Sequence, residues 1–345
     1  MVDVSTLLVN VIAAFAGGAF GAALGALPAF IFTGFMVIAG ETAAYVDGEF
    51  DAITGLIAFG PMFGPHVSFA GGAAAAAYAA KKGYMDTGFD YHEAKNILYA
   101  HGTKPDVLAV GGAFGILGYL VFFVFAELAM PWDPIAMTVA VSAVAHRVVF
   151  GYPLIGPAKE GLLNMKPFEA EERRVMTDHA TDGGTETTEP LGRFVVEPWL
   201  PHQYRWSGVV MIGLVVGLVG AYIGLATGSA FLAFGISAAS LLFLNCGVEK
   251  IPVTHHISLP ASTAALAVFA SGAEPALGLV PLLVGAAFGV FGALAGEVIQ
   301  RVFYAHSDTH FDPPAASIAV STFVIAILAI LGVLPQAVWV PTLGL

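Results

Sequence analysis

VGGAFGILG at residues 110–118 returns as VGAAFGVFG at residues 284–292, and the reading of the whole chain follows from that pair. Downstream of each copy the chain repeats again, DPIAMTVAVS at 133–142 becoming DPPAASIAVS at 312–321 behind the related lead-ins FAELAMPW and YAHSDTHF. Upstream, HVSFAG at 66–71 is echoed by HISLPA at 256–261, and GAALGALPAFIFTGF at 21–35 by GAYIGLATGSAFLAF at 220–234. Any one block is short and glycine-rich enough to recur through composition. Their shared order is what marks a duplication.

The repeated blocks sit in apolar surroundings. Of 345 residues 57% are hydrophobic and 11% charged, against roughly 45–50% and about 25% in soluble domains. The apolar residues form runs close to the ~20 residues that carry a helix across the hydrocarbon core, without the short alternating strands of a barrel. Thr6 to Val46 and Trp206 to Cys246 are each about twice that length, which predicts two helical hairpins with turns near Pro28 and Gly228. Ala52 to Ala80 is interrupted by GPMFGPH, whose two prolines and two glycines cannot continue a helix. A short segment at 52–60 and a helix restarting near Pro65 are expected, with a counterpart at 254–270 behind EKIPV. Further spans are expected at 107–130, 134–150, 278–303 and 313–335.

The expected fold is therefore all-α: a polytopic membrane protein of about ten transmembrane helices in two five-helix repeats, with discontinuous helices. Residues 1–156 form the first repeat, 157–205 an acidic linker and 206–345 the second repeat. An odd number of crossings per repeat turns the second upside down relative to the first. With the N-terminus outside, all thirteen Lys and Arg residues fall on one face, as cytoplasmic loops require. This predicts a multi-pass protein of the cell membrane with both termini outside and the linker cytoplasmic. No basic segment precedes the first apolar run, so no removable leader is expected. Within the linker, Thr177 to Pro190 carries too little apolar area to fold by itself. The net charge of −12 argues against nucleic acid as a partner, and a lone Cys246 excludes an intrachain disulfide.

Inverted repeats with broken helices place solute sites near the bilayer midplane in transporters. The residues at the two restarts are Pro65, His66 and Ser68, matched by Thr254, His255, His256 and Ser258. A helix beginning inside the bilayer aims unpaired amides at whatever lies ahead, and His and Ser add hydrogen bonds. Capping at an interface explains the same side chains, although polar groups are costly at membrane depth. Asp133 and Asp312, each followed by Pro, read first as N-caps and second as pathway groups. His306, Asp308 and His310 in HSDTHFD have metal-ligating chemistry, but the segment reads more simply as a solvated cytoplasmic loop. Glu41, Glu127, Glu297 and His146 lie near helix ends, where interface contact and a proton path are alternative readings.

The expected function is a transporter or channel, passive or ion-coupled, for a small polar or anionic solute, working as a homo-oligomer in the lipid bilayer without a cofactor. A membrane-embedded scaffold or subunit of a larger complex is the alternative. A metal-dependent membrane enzyme at HSDTHFD ranks third, since no hydrolase motif is present. GALPAFIFTGF, FGPMFGPHVSFAGG and VGGAFGILGYL together resemble an uncharacterised archaeal and bacterial multispanning family loosely labelled permease. The resemblance covers most of the chain and implies a membrane fold without naming a substrate. The five-plus-five plan also resembles that of urea transporters in architecture.

Overall fold

In a computed structural model that describes residues 3–47, 52–175 and 190–345, the regular secondary structure is almost all helix. Six of its helices are long and apolar enough to cross a bilayer: α1 (Val4–Leu24), α2 (Ala26–Asp47), α4 (Pro105–Glu127), α7 (Trp206–Thr227), α10 (Leu279–Ile299, extended by a π-helical turn to Tyr304) and α11 (Pro313–Ile330). α5 (Pro134–Phe150) and α8 (Leu232–Asn245) are shorter and apolar. Large side chains stay exposed along the outside of the bundle, among them Leu8 and Ile12 on α1, Val124 on α4, Met211 and Val219 on α7 and Leu283 on α10. Surface this apolar over several helices faces lipid.

α3 (Ser68–Lys81) and α9 (His255–Leu266) are the two broken elements. At about 1.5 Å per residue they are roughly 21 and 18 Å long, short of the ~30 Å hydrocarbon core. A π-helical turn, Ile53–Ala58, and an irregular passage precede α3; a non-helical stretch from Gly247 precedes α9. Irregular backbone at such depth needs side-chain partners. Thr33 Oγ1 donates to the Phe63 carbonyl at 2.6 Å, and the Gln203 amide exchanges two hydrogen bonds with the backbone of Val253 at 3.1 and 3.2 Å. Where the chain enters α3 and α9, the carbonyls of His66 and His256 press on Gly118 of α4 and Gly292 of α10.

Contacts repeat with the sequence blocks. α1 packs on α3 and α4, and α3 on α4 and α5; α7 packs on α9 and α10, and α9 on α10 and α11. Between the halves α2 packs on α8 and α5 on α11. Along the first pair, Gly34 meets Ala238 and Ala239, Val37 meets Gly235, and Glu41 accepts from the Ser229 hydroxyl. Along the second, the Asp133 amide donates to Thr322 Oγ1 at 2.9 Å, while His146 and Arg147 reach Thr309. Rising numbers on one helix meet falling numbers on the other, so both pairs are antiparallel.

The α1–α2 turn falls at Gly25, φ +94°, rather than at Pro28. Pro28 lies in the first turn of α2, where its missing N–H costs nothing. Gly228, φ +73°, ends α7 as expected. The linker contributes a short helix, α6 (Lys166–Glu169), and an antiparallel ribbon of β1 (Arg173–Val175) and β2 (Pro190–Phe194). The acidic stretch from Thr177 lies outside the described residues as far as residue 189.

Candidate functional site

α2, α5, α8 and α11, the four helices that join the halves, surround a cavity of about 880 Å3. Its wall is mostly apolar: Phe30 of α2, Phe69 of α3, Phe234 and Leu241 of α8, Leu259 of α9 and Ile318 of α11. One end is closed by Phe59, Phe231 and Trp339, whose successive ring centroids are 5.3 and 5.0 Å apart. The Trp339 indole donates to Thr263 Oγ1 at 2.9 Å, fixing that lid to α9. At the other end the strap of residues 82–104 and the linker residues Trp199 to Pro201 cover the opening. The strap is anchored by backbone bonds from Leu27 to the Ile97 carbonyl and from His310 to the Ala94 carbonyl, at 3.0 and 3.4 Å.

Two helix N-termini open on this space. Asp133 Oδ1 accepts from the amides of Ile135 and Ala136 at 2.8 and 3.2 Å, and Asp312 Oδ2 accepts from Ala315 at 2.8 Å. Both aspartates therefore cap their helices and line the cavity as well. His255 sits in the wall with its ring 4.7 Å from Phe30 and 5.8 Å from Phe234. His310 lines the cavity with Nε2 3.3 Å from Asp312 Oδ1 and its ring 5.6 Å from Phe69. Neither imidazole has a protein partner for Nδ1.

Charge concentrates under the strap. Lys95 is one of the residues lining the cavity, and its fully buried Nζ lies 2.6 Å from Glu197 Oε2 and 4.4 Å from the Tyr304 ring centroid. Glu197 Oε1 accepts from Arg193 Nε at 2.8 Å and from the His92 amide at 3.2 Å; Arg193 and Arg174 both reach Asp308 Oδ1, at 2.8 and 3.4 Å. Burial pushes the Lys95 ammonium down to about 8, outweighing the raising pull of Glu197. At Asp308 burial acts upward, yet the hydrogen bond and charge of Arg193 carry the carboxyl below its ordinary range. Burial likewise lowers His92 to about 4, aided by Arg193.

Of the residues singled out at the two restarts, Pro65 and His255 border the cavity and His66, Ser68, Thr254, His256 and Ser258 do not. The His66 ring packs against Phe122 at 4.6 Å with both nitrogens unpartnered, and His256 faces Trp199 and Gly296. Ser68 Oγ donates to the Phe63 carbonyl at 3.1 Å, Ser258 turns back to the His255 carbonyl, and Thr254 pairs with Ser237. Of the acids near helix ends, Glu297 is buried against Arg301 Nε at 2.6 Å and Gln300 Nε2 at 3.0 Å, and Glu41 accepts from Thr54 Oγ1 at 2.9 Å.

The expectation of a solvated loop at HSDTHFD is wrong: His306, Ser307, Thr309 and His310 are buried. The cause is Arg147, which enters from α5 fully buried. Its guanidinium donates to Thr309 Oγ1, to the carbonyls of Leu154, Phe303 and Thr309, and to Ser307 Oγ at 2.6–3.0 Å. His306, Asp308 and His310 turn to different partners, the Leu162 carbonyl, the two arginines and Asp312. Among the described residues no three His, Cys, Asp or Glu side chains converge as metal ligands would. Lys95, Arg147, Arg193 and Glu197 escaped the sequence reading because each is one charge in a charged loop or helix end. Lys95 and Arg147 find their partners 102 and 162 positions away, and Arg193 reaches Asp308 across 115.

The model of a family of unknown function, DUF7973, matches residues 1–343. The chain belongs to that family. No curated protein and no solved structure matches it. Family membership thus extends over both halves and the linker, and the chemistry has to be read from the cavity itself.

Proposed function

We propose that this protein is a membrane transporter, passive or ion-coupled, whose path is the cavity between the two halves. The observation that carries the reading is the antiparallel meeting of counterpart helices, α2 with α8 and α5 with α11, around a space that both halves line. Antiparallel counterparts are what two five-helix units of opposite orientation produce, α1 to α5 answering α7 to α11 with the broken helices α3 and α9 in equivalent places. Aromatic side chains border the path at one end and the ion-paired strap borders it at the other. Basic residues gather at the strap, which supports a cytoplasmic position for that end.

Flux through proteoliposomes tests the path. Ala315 and Ala136 line the cavity from α11 and α5, so Ala315→Trp and Ala136→Phe should abolish uptake of any transported solute while the protein still inserts and purifies normally. Undiminished uptake in both filled variants would mean that the solute crosses elsewhere.

A further inference from the structure

We infer that the cavity takes an amphipathic organic anion, with the anionic group at Lys95 and the apolar body between Phe30, Phe69 and Phe234. This deepens the transport reading and rests on it for the location of the site. A small hydrophilic solute would shed its water against a wall of Phe, Leu and Ile that offers few hydrogen bonds in return. Cavities of roughly 300–1,000 Å3 suit molecules of drug-like size, and this one, at about 880 Å3, lies near the upper end.

The polar groups are distributed unevenly, which orients the ligand. Lys95 is the Lys or Arg side chain of the wall among the described residues, with Tyr304 beside it, and the wall's carboxylates are engaged elsewhere, Asp90 with Arg173 and Asp133 and Asp312 as caps of α5 and α11. Phe30, Phe69 and Phe234 pack together as one cluster of rings, while Tyr91 and Tyr304 flank Lys95. Lys95 is paired, but Glu197 holds two further donors, Arg193 Nε and the His92 amide. An incoming anion can therefore displace Glu197 from Lys95 without leaving that carboxylate unpartnered. The linked cluster of Lys95, Arg174, Arg193, Glu197 and Asp308 contains three cations and two anions, so one more negative group balances it. Fatty carboxylates from the bilayer and water-soluble aryl carboxylates share this chemistry.

The test is calorimetric titration of the full chain in lipid nanodiscs, with empty nanodiscs subtracted. The probes are decanoate, 2-naphthoate, decanol as the uncharged match, and acetate as the headgroup alone. Saturable binding of decanoate or 2-naphthoate, at least tenfold tighter than decanol and without measurable acetate binding, is expected; which of the two binds tells lipid from aqueous supply. Lys95→Gln should weaken the carboxylates at least tenfold and leave decanol unchanged, and Phe30→Ala should weaken decanoate and decanol together. Should Lys95→Gln fail to fold, Glu197→Gln supplies the opposite sign, since it releases Lys95 and should tighten the carboxylates severalfold. Acetate binding as tightly as decanoate, equal affinity for decanol, or carboxylate binding unmoved by both charge variants would overturn the inference. Binding without flux would sink the transport reading and leave this one standing. Flux of a small polar solute blocked by Ala315→Trp, with no carboxylate bound, would do the reverse.

Discussion

Gly118→Ala should destabilise the first half through a single carbon atom. A Cβ on Gly118 would fall 1.7 Å from the carbonyl oxygen of His66, where ordinary contact begins near 3.4 Å. Because the obstacle is backbone at the entry to a helix buried between α1, α4 and α5, no side chain can swing aside. Overpacking of this kind costs about 1–3 kcal/mol and more when backbone must move. The gain in helix propensity on replacing glycine by alanine offsets at most ~1 kcal/mol. A net loss of roughly 2 kcal/mol or more is expected, measured as a lowered midpoint of denaturant unfolding in detergent followed by tryptophan fluorescence. Gly292→Ala, whose Cβ would lie 2.4 Å from the His256 carbonyl, should lose less. Gly208→Ala, on α7 with nothing within 4 Å, should be neutral or gain up to ~1 kcal/mol. If Gly118→Ala unfolds at or above the wild-type midpoint, or the three variants fall in another order, the packing of α4 against the His66 turn is not as described.

The remaining predictions concern the charged groups and the topology. Burial lowers the Lys95 ammonium when folded, so in the range where the unfolded chain alone holds that proton stability should rise with pH. Unfolding midpoints measured from pH 7 to 10 should show that slope and lose it in Lys95→Gln; an equal slope in both would assign it to another group. Arg147→Lys keeps the charge but cannot serve five acceptors in a plane, and should cost about 3–5 kcal/mol and expose HSDTHFD to protease. Normal protease resistance would show that the guanidinium does not hold that segment. Cys246, exposed at the end of α8, should react with an impermeant maleimide in inside-out vesicles and not in right-side-out ones. Labelling from the outer side would reverse the assignment of the strap to the cytoplasm.

Much of the fold was legible because bilayer thickness converts run length directly into spans. The helices near 4–47, 105–127, 134–150, 206–245, 279–304 and 313–330 stand close to where the apolar runs and the Gly-Pro breaks put them, six of them long and apolar enough to cross a bilayer. The turn between α1 and α2 falls at Gly25, three residues before Pro28, since proline marks a helix start as readily as a stop. The burial of HSDTHFD could not be read locally. Its seven residues look hydrophilic, and what satisfies them is an arginine about 160 positions away. The strap and linker posed the same difficulty: Lys95 pairs with Glu197 across 102 residues, and neither neighbourhood announces the other.

The matched positions of the repeat are not, for the most part, those that line the cavity, and the reason is physical. Positions that the two halves share, His66 with His256 and Ser68 with Ser258, suggested a symmetric pathway, yet all four are packed outside the cavity. Their shared task is to seat a broken helix against a glycine of α4 or α10 and to satisfy its irregular backbone, a demand that arises equally in both halves. Cavity-lining imidazoles occur where the halves differ: aligned with His255 is Pro65, and aligned with His310 is Pro131. Duplicated packing keeps its residues because each copy meets the same steric problem. Asp133 and Asp312, which both halves keep at the cavity, likewise meet a shared demand, the capping of α5 and α11, so among the polar groups of the wall it is Lys95 and the unmatched imidazoles that distinguish one half from the other.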